Sequence, residues 1–291
     1  MKILVTGAKG QLGQEFVTLA PFYPQYHFVF ADRNNLNLLN KEAIENFCKN
    51  NTISIIINCA AYTAVDKAES EKILVDLVNH KAVSYLAQIA KEHQIKLVHL
   101  STDYVFNGEA FQPYKETDIT SACNAYGMSK CLGEEAILHI NPSNTIIIRT
   151  SWLHSVFGNN FVKTILKLGR EKESINVVYD QIGTPTYAED LAKTILDIIP
   201  YLENEHVEIY HYSNEGVTSW FDFAKEIITI AELPCKIFPI ESTDYLTIAK
   251  RPYYSLLNKL KIKKDFNIEI PYWKDSLRRC IKKLKEKNKI L

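Results

Sequence analysis

The sequence predicts an α/β fold, a doubly wound parallel sheet followed by a smaller and less regular α/β part. Three observations carry this. A short apolar run, a glycine-rich turn and an amphipathic segment open the chain in that order. Apolar runs then alternate with helical segments as far as residue 150, the pattern of right-handed βαβ crossovers. The run Ile53-Ser54-Ile55-Ile56-Ile57 is almost wholly apolar, as a strand covered on both faces of a parallel sheet requires.

Each element follows from its residues. Lys2 to Thr6 reads as the first strand and Gly7-Ala8-Lys9-Gly10-Gln11-Leu12-Gly13 as the turn, with a helix over Gln14 to Leu19. Glycine permits the tight turn and a close approach to a diphosphate, which rests on the amides of a helix N-terminus. The spacing is G-x-x-G-x-x-G, and its place between strand and helix favours a dinucleotide over a purely structural turn. His27 to Ala31 is the second strand, with Asp32-Arg33 at its end, 19 residues after Gly13. A carboxylate there binds ribose hydroxyls, whereas an adjacent arginine accepts a 2′-phosphate, so NADH and NADPH both stay open. Asn37-Leu38 follows, placed to cover the adenine edge. The third strand ends in Asn58, and the small residues Ala60 and Ala61 let the next loop pass close to a cofactor. A helix from about Glu71 to His93 leads to the fourth strand, Lys96 to Ser101.

That strand runs into Thr102-Asp103, and some twenty residues later come Tyr126 and Lys130. On a helix these two share a face. A neighbouring ammonium lowers a phenol's pKa, so the pair is expected to tune Tyr126 for proton transfer to a carbonyl oxygen, with Thr102 alongside. Thr145 to Arg149 gives a fifth strand ahead of Thr150-Ser151-Trp152. Beyond it the sequence predicts helices over Asn160 to Arg170, Ala188 to Ile199 and Ser219 to Ala231, strands over Val207 to Tyr212 and Lys236 to Ile240, and a basic amphipathic helix from Tyr272 to Leu291. The basic face of that last helix reads as a solvated surface, not a membrane contact.

The bulk composition removes other classes. Of 291 residues 46% are hydrophobic and 23% charged, with 34 basic against 34 acidic side chains. This balance gives no reason to expect nucleic acid or an anionic membrane as partner. Six scattered cysteines without a Cys-x-x-Cys pair read as reduced thiols, and no metal site is expected from them. No apolar run approaches a membrane span, and Met1 leads straight into a strand, so a cytoplasmic location is expected.

The glycine turn, the Asn58-Cys59-Ala60-Ala61 strand end and Tyr126-x-x-x-Lys130 together resemble the extended short-chain dehydrogenase/reductase superfamily, with its Rossmann-like fold. More narrowly, the chain is similar to the dTDP-4-dehydrorhamnose reductase family, through Val5 to Gly13, Ala60 to Glu69, Ser101 to Gly108, Tyr126 to Lys130, Arg149 to Trp152, Gly158 to Phe161, Asp180 to Thr186, Arg251-Pro252 and Leu257-Asn258. This resemblance implies a dinucleotide-binding domain over 1–150 and a mainly substrate-binding domain over 151–291, with about 175–212 returning to the first. It implies a catalytic triad of Thr102, Tyr126 and Lys130. The cofactor, NADPH or NADH, would be held by Gly7, Gly10, Gln11, Leu12, Gly13, Asp32, Arg33, Asn37, Leu38, Ala61, Tyr62, Thr63, Leu100, Tyr126 and Lys130. Thr102, Asp103, Tyr104 and Trp152 would face a nucleotide sugar. Two positions depart from the family: Asn37 stands where Asp is usual, and Tyr62 where His is frequent. Some members dimerise through a magnesium held by glutamates, one at the position of Glu15. The basic last helix argues against that site here, so no metal is expected, and the chain is expected as a monomer or homodimer.

The activity so implied is NAD(P)H-dependent reduction of the C4 keto group of dTDP-4-dehydro-6-deoxy-L-mannose. A nucleotide-sugar 4,6-dehydratase would need a second acid after Thr102-Asp103, where this chain has Tyr104. Two rivals remain: a ketoreductase for a different hexose, and a non-catalytic cofactor-binding subunit like the β subunit of methionine adenosyltransferase. The intact Thr102, Tyr126 and Lys130 speak against the subunit.

Overall fold

The computed structural model describes residues 1–287. Its first half contains β1 (Lys2–Thr6), α1 (Gln11–Leu19), β2 (His27–Ala31), α2 (Lys41–Asn51), β3 (Ile55–Asn58), α3 (Val65–Ala68), α4 (Lys72–Asp76), α5 (Ala82–Glu92), β4 (Lys96–Thr102), α6 (Ala125–Ile140) and β5 (Thr145–Thr150). The second half adds β6 (Leu153–His154), α7 (Phe161–Glu171), β7 (Ser174–Val178), β8 (Ile182–Gly183), β9 (Thr186–Tyr187), α8 (Ala188–Ile198), β10 (Glu208–Tyr212), β11 (Thr218–Ser219), α9 (Trp220–Ala231), β12 (Lys236–Ile240), α10 (Leu260–Phe266) and α11 (Trp273–Lys287).

Six strands form one parallel sheet in the order β2-β1-β3-β4-β5-β10. From β1 the chain moves outward to β2, then crosses back to β3 on the other side. Strand order therefore reverses between β1 and β3, and ligands of such sheets sit beyond the carboxyl ends at that point. Alternate residues of the apolar strands feed two cores, because successive side chains point to opposite faces. Ile3, Val5, Ile55 and Ile57 pack with Leu12 and Phe16 of α1 and with Leu191 and Ile195 of α8. Leu4, Ile56 and Leu97 pack on the other face with Ile44 and Cys48 of α2 and Val83 and Leu86 of α5.

The strands β6, β7, β8, β9 and β11 and helix α10 were not expected from the sequence, and two further departures lie in the first half. Helix α2 was not foreseen: its apolar face is short, Ile44 and Cys48 with Phe47 half-buried beside them, in a mainly polar segment, and its start is set by the Asn40 side chain accepting from the Ala43 amide at 3.0 Å. The expected single helix over 71–93 is α4 and α5 joined by a π turn, Leu77–Lys81. Such turns interrupt helices mostly at functional sites, and this one carries Asn79.

In the second half, α8 and β10 lie on the main sheet, whereas β7 pairs in parallel with β12 in a separate layer. That layer has its own core, with Ile165, Phe223, Ile227, Trp273, Leu277 and Ile281. The apolar stripe of α11 enters it. Its basic face meets acids of α8 and α9: Lys274 and Arg278 bond Glu226, Arg279 bonds Asp190 at 2.5 Å, and Lys283 bonds Glu189. Neighbouring carboxylates thus account for much of the charge on this face. Residues 288–291 of the expected helix lie outside the described residues, and no helix among the described residues is long and apolar enough to cross a membrane.

Candidate active site

The glycine turn is built by close backbone approaches. Gly7 has φ +64°, and a Cβ there would lie 2.7 Å from the Ala60 nitrogen; at Gly13 a Cβ would lie 2.4 Å from the Gly7 carbonyl oxygen. Helix α1 begins after Gly10 without a side-chain cap, which leaves its first amides for an anion. The turn opens into a cavity of about 650 Å³ lined by Gly7, Lys9, Gly10, Asp32, Arg33, Asn37, Leu38, Ala60, Ala61 and Tyr62, among others. Its volume and glycine floor fit the adenosine half of a dinucleotide. Of the other expected cofactor residues, Leu12 has its side chain in the core, and Gln11 accepts from Asn160 at 2.9 Å. Their backbone amides suit a diphosphate. Gly13, Thr63 and Leu100 are not among the residues lining this cavity.

At the outer end Lys9 crosses the cavity mouth to Asp32, Nζ to Oδ2 at 2.5 Å. The lysine hydrogen bond, helped by the Asn34 amide, holds the Asp32 carboxyl below its usual range. A neutralised Asp32 beside Arg33 can tolerate a 2′-phosphate as well as bind a ribose hydroxyl. Asn37 turns back to accept from its neighbour, the Leu39 amide, at 3.0 Å.

The loop after β3 is fixed from a distance. Asn79, fully buried in the π turn, accepts from the Tyr62 amide (2.8 Å) and donates to the Tyr62 carbonyl (3.0 Å) and to Ser129 of α6 (2.9 Å). It ties the loop after β3 to the helix that bears Tyr126 and Lys130. A Cβ on Gly133 would come within 2.3 Å of the Asn79 carbonyl, so a glycine lets α6 pack this closely. The Tyr62 hydroxyl donates to Glu71 at 2.7 Å.

Helix α6 starts at Asn124, whose side chain accepts from the Gly127 amide at 2.8 Å. A Cβ on Gly127 would lie 2.1 Å from the Tyr104 carbonyl oxygen, so the helix meets the segment after β4 backbone to backbone. This brings the Tyr126 and Tyr104 rings to 5.8 Å in an edge-to-face pair. The fully buried Lys130 reaches under β4, where Nζ donates to the Leu100 carbonyl at 2.7 Å and lies 3.2 Å from His99 Nε2. Burial pushes the Tyr126 phenol up to about 12, against the pull of the Thr102 hydroxyl. The direction is opposite to the sequence expectation of a lowered phenol. Desolvation outweighs the lysine, whose head group is turned toward β4. Burial likewise pushes Lys130 down to about 8, opposed by the charge of Glu134.

At the end of β4 the Thr102 hydroxyl accepts from the Tyr104 amide (3.2 Å) and donates to Asp103 Oδ1 (3.0 Å). Asp103 is buried, no hydrogen bond to its Oδ2 is seen among the described residues, and burial raises its carboxyl to about 7 against the pull of the Ser255 and Thr102 hydroxyls. Near the same Tyr104, Arg251 grips Asp66 with two bonds, 2.6 and 2.7 Å. Trp152 has an unusual φ of +46° and stacks on Trp220 at 3.6 Å, and a Cβ on Gly183 would intrude on its ring. The sequence reading missed Lys9, Asn79, His99 and Trp220. Only Lys9, inside the glycine turn, had a local signal. The metal position of the resemblance, Glu15, is buried here and accepts from Ser155 at 2.5 Å.

Comparison with known proteins agrees with this arrangement. The model of the RmlD substrate binding domain matches residues 1–286. A dTDP-4-dehydrorhamnose reductase of Aggregatibacter actinomycetemcomitans is 39% identical over 286 residues, covering 95% of this chain and 97% of that protein. The crystal structure of a dTDP-4-dehydrorhamnose reductase from Clostridium acetobutylicum superposes with a TM-score of 0.93 at 37% identity, covering 98% and 100% of the two chains. One from Bacillus anthracis, in complex with NADP, gives 0.91 at 36% identity, covering 97% and 99%. A glycine cradle at the β1–β3 reversal, a Thr–Tyr–Lys set one strand away and a full-length match in both sequence and fold lead to one assignment: the chain belongs to the dTDP-4-dehydrorhamnose reductase family.

Proposed function

We propose that this protein reduces the C4 keto group of dTDP-4-dehydro-6-deoxy-L-mannose to give dTDP-L-rhamnose, using NADPH or NADH. The observation that most supports the reading is the joining of three side chains at the end of β4, the strand next to β3: the Thr102 hydroxyl bonds the Tyr126 phenol, and Lys130 of the same helix donates to the Leu100 carbonyl. The bound nicotinamide would supply the hydride. Gly7, Gly10 and the first amides of α1 suit the diphosphate, Asp32 and Arg33 the adenosine ribose, and Lys130 the nicotinamide ribose. Tyr126 holds its proton at neutral pH because its environment raises the phenol, so it serves as the acid that delivers a proton to O4. The Thr102 hydroxyl, on turning its proton from Asp103 Oδ1, offers a second donor to the same oxygen as negative charge develops on it. Tyr104, uncharged and half-buried where a dehydratase would place a second acid, supports reduction over elimination.

The test is incubation with dTDP-4-dehydro-6-deoxy-L-mannose and each reduced cofactor, following nicotinamide absorbance and identifying the product by NMR. Turnover to dTDP-L-rhamnose is expected. Cofactor binding without turnover would point to a regulatory subunit, and turnover only with another 4-keto sugar to a different hexose.

Lys9 sets a cofactor prediction. Removing it leaves Asp32 charged and unshielded beside the position of a 2′-phosphate. In Lys9→Ala the KM for NADPH is expected to rise on the order of tenfold, with a smaller change for NADH. Equal KM changes for the two cofactors in steady-state kinetics would show that Lys9 does not discriminate between them.

A further inference from the structure

We infer that His99, a neutral imidazole with its proton on Nε2, is a positioning residue for Lys130: it turns an N–H rather than a lone pair toward the lysine and so leaves the ammonium ready to release a proton. The inference rests on the reductase reading above and deepens it.

A buried polar chain runs across the carboxyl ends of β1, β3 and β4 to α6. Thr6, Asn58, His99 and Lys130 are each at most 2% exposed. The Thr6 hydroxyl donates to Asn58 Oδ1 at 2.6 Å, and the Ala60 amide donates to the same oxygen at 3.3 Å. With that oxygen engaged, Asn58 presents its amide nitrogen to His99 Nδ1 at 3.0 Å. An amide nitrogen has only N–H to offer, so Nδ1 is the acceptor and a neutral ring carries its proton on Nε2. Burial, and then the charge of Lys130, hold His99 well below its ordinary pKa, which keeps the ring neutral.

Nε2 lies 3.2 Å from Lys130 Nζ. When Lys130 is an ammonium, two N–H groups meet there, and its acceptor is the Leu100 carbonyl. When Lys130 is an amine, its lone pair takes the His99 proton donor and the chain of bonds is complete. Among the described residues, the other charged group acting on the lysine is Glu134 on its own helix, which is itself paired with Arg149 of β5 at 2.6 Å. His99 is thus the part of the surroundings that favours the amine by hydrogen bonding. The use of this follows from the proton balance. Once Tyr126 has given its proton to O4, the phenolate regains one from the Lys130 ammonium, leaving phenol and amine. The amine accepts from His99 until water returns a proton.

Two measurements test this. In histidine-labelled protein, two-bond ¹H–¹⁵N correlation spectra are expected to show His99 with its proton on Nε2 from about pH 6 to about pH 9, the range around an ordinary imidazole pKa. A proton on Nδ1, or a charged ring in that range, would overturn the inference. His99→Gln places a carbonyl oxygen in reach of the ammonium, so the alkaline limb of kcat/KM is expected to move up by about one pH unit. His99→Asn keeps an acceptor for Asn58 and empties the place facing Lys130; its limb moves the same way by less. An unmoved limb in the folded variants means that His99 only fills the core. The spectrum needs no turnover: an inactive wild-type protein would sink the reductase reading, whereas an Nδ1 proton in an active enzyme would sink this inference alone.

Discussion

Tyr126→Phe is expected to lower the reduction rate by roughly 10²–10⁴-fold, the usual worth of a general acid. Cofactor affinity should change little, because the glycine cradle and the cavity beside it, which fit the diphosphate and adenosine, do not involve Tyr126. The size of the effect follows from protonation. A phenol raised to about 12 is fully protonated at neutral pH, so the wild-type enzyme always carries its acid. Phenylalanine keeps the ring that packs edge-on against Tyr104 and removes only the donor. What remains is the Thr102 hydroxyl, which polarises O4 without a strong acid behind it. Fluorescence titration of reduced cofactor alongside stopped-flow turnover separates binding from chemistry. Near-normal turnover would remove Tyr126 from the mechanism. In the wild-type protein activity should decline above about pH 8, where Lys130 loses its charge, and not near the phenol's own pKa.

The second large effect is on stability. Glu134 and Arg149 form an ion pair with both side chains 3% exposed, through Nη2 to Oε2 at 2.6 Å and Nε to both oxygens at 3.0 and 3.1 Å. Ser101 also donates to Glu134, and the guanidinium lies over the Phe106 ring at 5.1 Å. Breaking such a pair strands a buried charge, so Arg149→Met should destabilise the fold by about 3–5 kcal/mol. The matching double variant Arg149→Met, Glu134→Leu should recover most of that loss, since removing both charges also removes their desolvation cost. Urea unfolding of the two variants decides it. If the double variant is as unstable as the single one, packing and not charge accounts for the effect. The pair also serves the site: Glu134 stands one turn beyond Lys130 on α6, and Ser101 immediately precedes Thr102. Loosening it should therefore lower kcat in molecules that still fold.

Much of the molecule was legible before any coordinates. Hydrophobic period placed the five strands through residue 150, because strands covered on both faces must be apolar throughout. The glycine turn and the i, i+4 pair on α6 were legible because backbone sterics and helix geometry act over a few residues. Second-half elements such as α9 and β12 were found in the same way. Helix α2 was not, since its short apolar side, Ile44, Phe47 and Cys48, is set in a mainly polar segment.

The sequence by itself determined which residue types stand at the strand ends: the glycines of the cradle, Asp32, Asn58, Thr102, and the Tyr126–Lys130 face. Tertiary structure alone decided how they act. It joined Lys9 to Asp32 and Asn79 to the Tyr62 loop, laid Trp152 on Trp220, and turned Lys130 toward His99. It also reversed the expected direction of the Tyr126 pKa. The physical reason is common to all of these. Hydrogen bonds between residues far apart in the chain leave no periodic trace, and desolvation depends on what the whole fold packs around a group.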